Sequence, residues 1–349
     1  MDLSLFYFAD DSEQQGEGGC YELLMEGAKF ADTHGFSAVW TPERHFHPFG
    51  GMYPNPAVLG AAVAAVTERV AVRAGSVVAP LHHAARIAEE WSVVDNLSAG
   101  RVGAAFASGW NALDFALDPE AYDQRRELVS RRVDEVRMLW RGEALDGVDG
   151  KGRPARIRSY PRPVQEELPV WITSSGSIDT FREAARLKAG LLTHLLGQDL
   201  DVLAKGIAEY RRVAADEHDG WTGHVALMVH TFVGDDLATV KEVVRAPLTA
   251  YLRSSIHLFA KAFLGDKFDI GSLREGDVNF LAGQAFERYF HSSGLFGSVE
   301  DAFAVLERIG KVGVDEVACL IDFGVATKKV IEGFEHLDLL RARAAAAGL

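Results

Sequence analysis

The feature that most constrains the fold of this chain is a repeated alternation of short apolar runs with helical patterns. Several runs are apolar throughout, which is typical of strands buried on both faces in parallel sheets. Eight strands are predicted, at Leu3–Ala9, Ala38–Thr41, Val70–Ala79, Val102–Ala107, Pro169–Ser174, Leu191–Leu196, Val225–Gly234 and Glu316–Phe323. Helices are predicted at Tyr21–Thr33, Ala57–Thr67, Ala84–Leu97, Arg125–Trp140, Asp179–Lys188, Val202–Glu217, Val299–Val312 and Ile331–Ala347. Eight strand–helix units indicate an α/β fold, a closed (β/α)8 TIM barrel, with a doubly wound open sheet as the alternative.

Two stretches fall outside this alternation. The stretch Gly142–Arg162 is rich in Gly, Pro, Arg and Asp and is predicted to be a long loop. The stretch Leu237–Phe290 contains two long helical patterns separated by a break at Gly265–Lys267, which predicts a helical insertion before the last strand. Long insertions at this end of barrels commonly cover a site. We therefore expect one barrel domain over residues 1–349, with an insertion at about 237–290.

Composition excludes several classes of protein. The chain has 349 residues and a net charge of −14, which argues against nucleic-acid binding. Its two cysteines are too few for a disulfide scaffold and favour a reducing compartment. The first residues lack the basic segment of a secretory signal, and no apolar run reaches the ~18 residues that a membrane span needs. We expect a cytoplasmic protein that binds neither nucleic acid nor membrane.

The most informative local segment follows the second predicted strand. Glu43, Arg44, His45 and His47 lie together after an apolar run. Charge at the end of a core strand is costly unless a site requires it, and the strand ends of barrels are where active sites form. One interpretation is a Glu43–Arg44 ion pair with histidines that cap a loop; another is a metal site at His45 and His47, with a further ligand from His82-His83. A cofactor-binding or proton-transfer role is favoured.

A polar turn follows the fifth predicted strand. Ser175, Gly176, Ser177 and Thr180 stand between that strand and a helix. Their hydroxyls and backbone N–H groups, together with the partial positive charge of a helix N-terminus, suit a phosphate group. The alternative is an ordinary N-cap by Ser177 or Asp179. No P-loop and no Gly-x-Gly-x-x-Gly motif is present, so the turn predicts a phosphate site of another kind.

Two further turns carry small residues beside buried strands. Ser108, Gly109 and Trp110 follow the fourth predicted strand, where a glycine lets a ligand approach the backbone and the indole offers a stacking face. Gly75 and Ser76 lie inside the apolar third strand, which indicates either a bulge or a ligand held against the backbone. An ordinary turn and an ordinary bulge remain open alternatives at these two positions.

Taken in order, these motifs resemble the bacterial luciferase-like flavin monooxygenases. The resemblance is carried by Trp40–Phe46, Asn55-Pro56, Leu81–His83, Arg86–Glu90, Gly100-Arg101, Ser108–Trp110, Ser174–Thr180 and Leu192–Gln198. It spans Leu3 to about Gly234 and resumes at Gly297–Gly324. More narrowly, the chain looks like the subgroup associated with natural-product biosynthesis.

The resemblance implies a barrel that binds FMN at the carboxyl ends of its strands. It implies that Ser177 and Thr180 contact the phosphate and that Ser175 and Gly176 line the same turn. By the same resemblance, the segment Ser108, Gly109 and Trp110 runs beside the phosphate and ribityl chain. Ser76 lies in a strand bulge behind the flavin ring, where the family can have a non-proline cis peptide.

The resemblance also implies the chemistry. Reduced FMN and O2 would form a flavin C4a-(hydro)peroxide that oxygenates a small or carrier-tethered biosynthetic intermediate. His45 would hydrogen-bond the flavin or the peroxide, and Arg44 would pair with Glu43 or hold an anionic group. Electrons would come from a separate flavin reductase, and a homo-oligomer is expected. The insertion would form a lid and the wall that faces the substrate.

The chain departs from the family pattern at two positions. Arg44 stands where the family has its first catalytic histidine, and a guanidinium cannot act as a base near neutral pH. Ala107 stands at the position of a reactive cysteine, so thiol chemistry is excluded there. These differences make light emission from a long-chain aldehyde an unexpected activity for this chain.

Three rival functions stay open at this point. A deazaflavin-dependent oxidoreductase on the same barrel would transfer hydride without oxygen. A non-catalytic flavin-binding accessory protein is a second rival, although the cluster at residues 43–47 argues against it. A metal-dependent hydrolase acting through His45 and His47 is a third, whereas the favoured interpretation includes no metal.

Overall fold

The computed structural model describes residues 1–8, 19–47, 51–254 and 274–349. Its strands are β1 (Asp2–Phe6), β2 (Ala38–Thr41), β3 (Ala71–Val78), β4 (Val102–Ala107), β5 (Leu145–Val148), β6 (Pro154–Ile157), β7 (Val170–Ser174), β8 (Gly190–His194), β9 (Val225–Val233), β10 (Leu295–Gly297) and β11 (Glu316–Leu320). Its helices are α1 (Glu22–His34), α2 (Pro56–Ala64), α3 (Ala84–Leu97), α4 (Arg125–Trp140), α5 (Ile178–Arg186), α6 (Leu200–Glu217), α7 (Leu237–Ser254), α8 (Glu275–Ser292), α9 (Val299–Lys311), α10 (Thr327–Glu332) and α11 (Phe334–Ala346).

Eight of the strands close into a parallel barrel in the order β1, β2, β3, β4, β7, β8, β9 and β11. The ring closes because β11 pairs in parallel with both β9 and β1, so that Leu320 lies beside His230 on one side and Phe6 on the other. Helices lie between consecutive barrel strands and bury their apolar faces against the sheet. The prediction of a closed (β/α)8 barrel is therefore confirmed, and the open sheet is excluded.

The described part of the predicted insertion before the last barrel strand consists of two long helices. Helix α7 follows β9, and α8 precedes β10 and the last barrel unit. The two helices pack against each other, and ion pairs join Lys241 and Arg245 of α7 to Glu287 of α8. The predicted break at residues 265–267 lies outside the described residues.

Three predictions about secondary structure are wrong. The stretch Gly142–Arg162 is not a plain loop, because it contains the antiparallel hairpin of β5 and β6. Short strand β10 was not predicted; it pairs with the end of β9 beyond the part that contacts β11. The predicted last helix is divided in two, because α10 ends at Glu332 and α11 begins at Phe334, with Gly333 between them.

Local sequence signals explain several helix ends. Gly35 ends α1 in the left-handed conformation with a φ of 75°, as its position after the helical pattern predicts. Asn55 begins α2 by accepting hydrogen bonds from the backbone N–H groups of Ala57 and Val58, followed by Pro56 at the first helical position. Both features fix the direction in which the chain enters or leaves the barrel wall.

A layer of polar and aromatic side chains fills the amino-terminal end of the barrel. Glu316 is fully buried; its Oε2 lies 2.7 Å from Nη1 of Arg73, and its Oε1 accepts a hydrogen bond from Nε1 of Trp40 at 2.9 Å. The Arg73 guanidinium packs against the rings of both Trp40 and Trp171, at 4.9 and 4.6 Å from the ring centroids. His224 lies 3.6 Å from Glu316 and accepts a hydrogen bond from Trp171 at 3.0 Å. This layer fills the base of the barrel, at the end opposite to the carboxyl ends of the strands.

Among the helices that the structure describes, none combines the length and the apolar character that crossing a membrane requires.

Candidate active site

A cavity opens at the carboxyl ends of the barrel strands, which is where barrel enzymes place their active sites. It encloses about 1070 Å³ of empty space, counted with the solvent at its mouth. Most of its described walls are apolar, including Phe6, Phe8, Val78, Leu192 and Met228. A few polar groups converge on it, which is the usual composition of a cofactor or substrate pocket. Its described polar lining comprises Glu43, Ser76, Ser108, Asp114, Thr173, Ser175, Thr193, His194 and Tyr251.

Glu43 is the buried polar centre of one wall. Its side chain is 2% exposed, and its Oε1 accepts hydrogen bonds from Nε2 of His45 at 2.9 Å and from Nε2 of His82 at 2.5 Å. Its Oε2 accepts a hydrogen bond from the backbone N–H of Val78 at 2.7 Å. Both imidazoles must carry a proton on Nε2 to make these contacts. The carboxylate is therefore fully engaged, and it fixes the orientation of two titratable rings.

The electrostatics of this group follow from burial and hydrogen bonding. Burial acts to raise the pKa of Glu43, but hydrogen bonds from His45 and His82 outweigh it and hold that pKa below its usual value. Burial acts to lower the pKa of His82, but the hydrogen bond and the charge of Glu43 raise it above its usual value. The His82–Glu43 pair therefore favours an imidazolium next to a carboxylate.

Arg44 lies behind this wall and is not the ion-pair partner of Glu43. Its guanidinium stacks over the ring of Trp110 at 4.1 Å, and the carboxylate that attracts it is Asp114. Burial raises the pKa of Asp114, although Arg44 and a hydrogen bond from Asn111 oppose that effect. The predicted Glu43–Arg44 pair is thus wrong: the described ion-pair partners of Glu43 are His45 and His82, and neighbouring residues 43 and 44 serve different clusters.

The turn after β4 forms a second wall. Ser108, Gly109 and Trp110 all line the cavity, as does Ala107. Gly109 has a φ of 75°, and a Cβ built on it would lie 2.8 Å from Phe115 and 2.9 Å from Val78. Only glycine satisfies both the conformation and the space. The chain can therefore fold back here and leave Trp110 39% exposed at the cavity.

The predicted irregularity in the third barrel strand is confirmed. The pairing of β3 with β4 shifts register between Gly75 and Val77, and the Gly75–Ser76 peptide bond is cis. The hydroxyl of Ser76 lies 2.5 Å from that of Thr173 on β7. Gly75, Ser76 and Thr173 all line the cavity. The bulge therefore turns a hydroxyl and a length of backbone towards the cavity floor.

The predicted phosphate turn is divided between the cavity and its surroundings. Ser175 lines the cavity, whereas Gly176, Ser177 and Thr180 lie just outside the described lining. Ser177 is the N-cap of α5 and accepts a hydrogen bond from the Thr180 N–H at 3.5 Å. Gly176 has a φ of 108° and lies against the side chain of Gln198, whose oxygen a Cβ would approach to 2.9 Å. The turn thus leads from the cavity to the positive end of a helix.

His45 and His47, one possible metal-binding pair in the sequence, are not the group that the structure brings together. Glu43, His45 and His82 have donor atoms within 4.8 Å of one another, and among the described residues they form a group that could hold a metal ion. His47 does not belong to that group. The distances to a single carboxylate oxygen are those of hydrogen bonds, which already satisfy both imidazole N–H groups.

Several residues of the site were not proposed from the sequence. His82 was considered only as an additional metal ligand, although its place after a barrel strand was a usable signal. His194 is the last residue of β8 and Thr173 the last but one of β7, so the strand-end rule could have found both. Tyr251 reaches the cavity from α7, and nothing in the helical pattern distinguishes it from its neighbours.

Comparison with known proteins agrees with this geometry. The family model for luciferase-like monooxygenases matches residues 1–316. The oxygenase component of the flavin-dependent trigonelline monooxygenase of Acinetobacter baylyi is 30% identical over 182 residues. That match covers 50% of this chain and 49% of the relative, so the chain spans about half the length of that curated relative.

Solved structures share the fold at low sequence identity. The monooxygenase RslO1 from Streptomyces bottropensis superposes with a TM-score of 0.79 at 20% identity, covering 99% of this chain and 100% of that one. The oxygenating constituent of 3,6-diketocamphane monooxygenase from Pseudomonas putida, in complex with FMN, gives a TM-score of 0.74 at 15% identity over 97% and 96% of the two chains. An F420-dependent secondary alcohol dehydrogenase gives 0.70 at 18% identity over 96% and 97%. The chain therefore belongs to the luciferase-like monooxygenase family, a family of oxidoreductase enzymes.

Proposed function

We propose that this protein is the oxygenase of a two-component FMN-dependent monooxygenase. It would receive reduced FMN from a separate reductase and use O2 to oxygenate a small or carrier-tethered biosynthetic intermediate. The observation that carries the proposal is the cavity at the carboxyl ends of the strands, whose described lining includes Glu43, the carboxylate that holds His45 and His82, and Ser175 of the turn that begins α5. The oxygenase component to which the chain is similar supports the two-component arrangement.

The residues around the cavity fit a flavin. The positive φ of Gly109 and the bulge at Ser76 bring backbone and hydroxyl groups to a cavity with mostly apolar walls, which suits a flat ring with a polar edge. Ser175, Gly176, Ser177 and Thr180 would hold the phosphate at the N-terminus of α5, where the helix dipole favours an anion. When bound in its reduced form, the flavin would supply the activation of O2.

The chain's own residues would position and protect that chemistry. His45 and His82 are held by Glu43 with one ring nitrogen each, which leaves the other nitrogen of each ring for a proton or a ligand. We assign His45 to hydrogen bonding or proton transfer beside the flavin and Glu43 to holding its orientation. Arg44, stacked on Trp110, would stiffen the turn that borders the ring. The apolar walls would exclude water.

The first experiment measures FMN binding by fluorescence titration in the wild type and in the Ser177→Ala, Thr180→Ala double variant. We expect the double variant to bind FMN at least several-fold more weakly, because it loses two hydroxyls at the phosphate and the cap of α5. Ser298→Ala is the matched control: Ser298 caps α9 through the same hydrogen-bond pattern, but no residue of its turn lines the described cavity, whereas Ser175 in the turn of Ser177 does. Equal FMN affinity in the double variant and the control would refute the phosphate assignment.

A deazaflavin-dependent hydride transferase is the alternative on this fold, and the structural likeness to an F420-dependent dehydrogenase favours considering it. The two activities differ in their need for oxygen. Protein loaded with chemically reduced FMN should, on mixing with O2, give a transient absorbance distinct from that of reduced and oxidised FMN. Tight binding of F420 together with immediate, featureless reoxidation of FMN would favour the alternative.

A further inference from the structure

His230 is an unusual residue in the interior of this barrel. It lies in β9 opposite Leu320 of β11 and is 0% exposed. Three rings meet its imidazole edge-on, those of Tyr251, Tyr289 and Phe323, with centroid distances of 4.6, 5.3 and 5.5 Å. Neither of its ring nitrogens has a hydrogen-bond partner among the described residues. An aromatic enclosure of this kind would suit a phenylalanine better than a histidine.

A buried imidazole in that state is costly. A neutral ring has one N–H donor and one acceptor nitrogen, and each loses its hydrogen bond to water on burial. Most buried polar groups in proteins have a partner, and one without a partner indicates a water, an ion or a ligand that completes it. The unpartnered ring nitrogens of His230 therefore indicate a ligand that forms a hydrogen bond, which a phenylalanine at this position could not make.

His230 lies next to residues that line the cavity. Met228, two residues earlier on the same face of β9, lines the cavity. Tyr251 packs against the His230 ring and lines the cavity as well. His194, which ends β8 opposite Met228, is a third cavity residue, and it is close enough to influence the pKa of His230. Tyr251 is thus a side chain that contacts both the His230 ring and the cavity.

We propose that the substrate end of the cavity extends past Tyr251 to His230, whose ring anchors a neutral carbonyl or hydroxyl oxygen of an apolar substrate. This inference deepens the proposed function, because it names the substrate class that the same cavity accepts. Tyr251 acts as the gate, and Tyr289 and Phe323 form apolar walls around the anchor. His194 lies on the path between the anchor and the rest of the cavity.

The electrostatics of this end select against charged groups. Burial lowers the pKa of His194 to about 4, and burial together with His194 lowers that of His230 to about 3. Both rings are therefore neutral near pH 7 and cannot neutralise a carboxylate or a phosphate. A neutral N–H group donates readily to a carbonyl or hydroxyl oxygen, and the three surrounding rings favour an apolar skeleton.

The test uses FMN-loaded protein and three probes of similar size: acetophenone, 1-phenylethanol and ethylbenzene. Calorimetry and ring-¹⁵N NMR of histidine-labelled protein measure binding. We expect at least one oxygen-bearing probe to bind about fivefold or more tightly than ethylbenzene, which is what one neutral hydrogen bond contributes. The same probe should shift the His230 ring-nitrogen signals, whereas ethylbenzene should not.

Two variants and a control complete the experiment. His230→Phe should abolish the preference for the oxygen-bearing probe, and His230→Gln, which retains hydrogen-bonding groups, should keep part of it. His224→Phe makes the same change at the barrel base and should leave the preference intact. Equal affinity of the wild type for all three probes would overturn the proposal, as would a preference that survives in His230→Phe. FMN titration of each variant separates this outcome from a failure of the proposed function, because His230 should not affect FMN affinity.

Discussion

The barrel holds a buried glutamate at each end, and the two differ in what surrounds them. Glu316 at the base is bound by Arg73, a permanent cation that two indole rings hold in place. Glu43 at the cavity is bound by two imidazoles and one backbone N–H. The Arg73 guanidinium cannot lose its proton in the accessible pH range, whereas the imidazolium of His82 can. Two equally buried carboxylates are thus bound by a permanent cation at the base of the barrel and by an imidazole that can lose its proton at the cavity.

The largest expected effect is on stability at the base. Glu316→Gln leaves the Arg73 guanidinium buried without its counter-charge. We expect the free energy of unfolding to fall by about 3–5 kcal/mol, as is typical when one partner of a buried ion pair is removed. Urea denaturation followed by circular dichroism measures it. A loss below about 1 kcal/mol would mean that the stacked indoles alone hold the guanidinium.

The second prediction concerns the other glutamate. Glu43→Gln should cost less stability, about 1–3 kcal/mol, because the His82 imidazolium can lose its proton while the Arg73 guanidinium cannot. It should nevertheless remove most oxygenation per reduced FMN, since the rings lose the carboxylate that orients them. Product yield and urea denaturation are measured on the same samples. If Glu43→Gln is the more destabilising of the two changes, the distinction between the two ends is wrong.

The third prediction separates the ends by pH. The pKa of His82 is raised above 6.5, so its stabilisation is complete below pH 6.5 and is lost as the pH rises through the folded-state pKa. The pKa of Glu43 is lowered below 4.5, so its stabilisation is present above pH 4.5 and is lost as the pH falls through the folded-state value. The difference in unfolding free energy between wild type and His82→Gln should therefore be greatest between about pH 4.5 and pH 6.5, and it should shrink in alkaline solution.

Glu316→Gln provides the comparison for that measurement. Because Arg73 stays charged and the pKa of Glu316 is lowered despite its burial, the difference between wild type and Glu316→Gln should stay constant through the neutral and alkaline range. Unfolding free energies at a series of pH values decide the matter. If the stability differences of His82→Gln and Glu316→Gln depend on pH in the same way, the His82 imidazole does not titrate together with Glu43.

The smallest expected effect is that of metal removal. The Glu43, His45 and His82 group has a metal-binding composition, but its imidazole protons already occupy the carboxylate oxygen. Dialysis against EDTA should therefore shift neither the melting temperature nor FMN affinity. A lower melting temperature that Zn²⁺ restores would instead favour the rival metal site.

The parts of the fold that the sequence predicts are those set by long apolar patterns. The eight barrel strands and most helices follow from that signal, because burial on both faces leaves an uninterrupted run. The β5–β6 hairpin escaped prediction because its strands are short and alternate exposed with half-buried residues, among them Asp146 and Arg156. Its composition is that of a loop, and only the cross-strand pairing makes it a sheet.

The site was predictable one strand end at a time but not as a set of contacts. Glu43 and His45 stand out beside an apolar run, yet the bond to His82 depends on β2 and β3 lying side by side. His230, by contrast, does not stand out in the sequence, because a single histidine within the apolar strand Val225–Val233 resembles an ordinary core residue. Its significance depends on partners in three other elements, which no local pattern contains.

The order of strands in the ring has a consequence for how the protein is made. The backbone N–H of Phe8, just after β1, donates to Asp322, just after β11, across 314 residues of sequence. Phe6 and Phe8 are wall residues of the cavity, yet their neighbouring strand is the last of the barrel to leave the ribosome. In a nascent chain, β1 therefore stays unpaired on the side of β11 until translation has passed Asp322. The cavity walls formed by Phe6 and Phe8 are therefore completed only after the last barrel strand has been made.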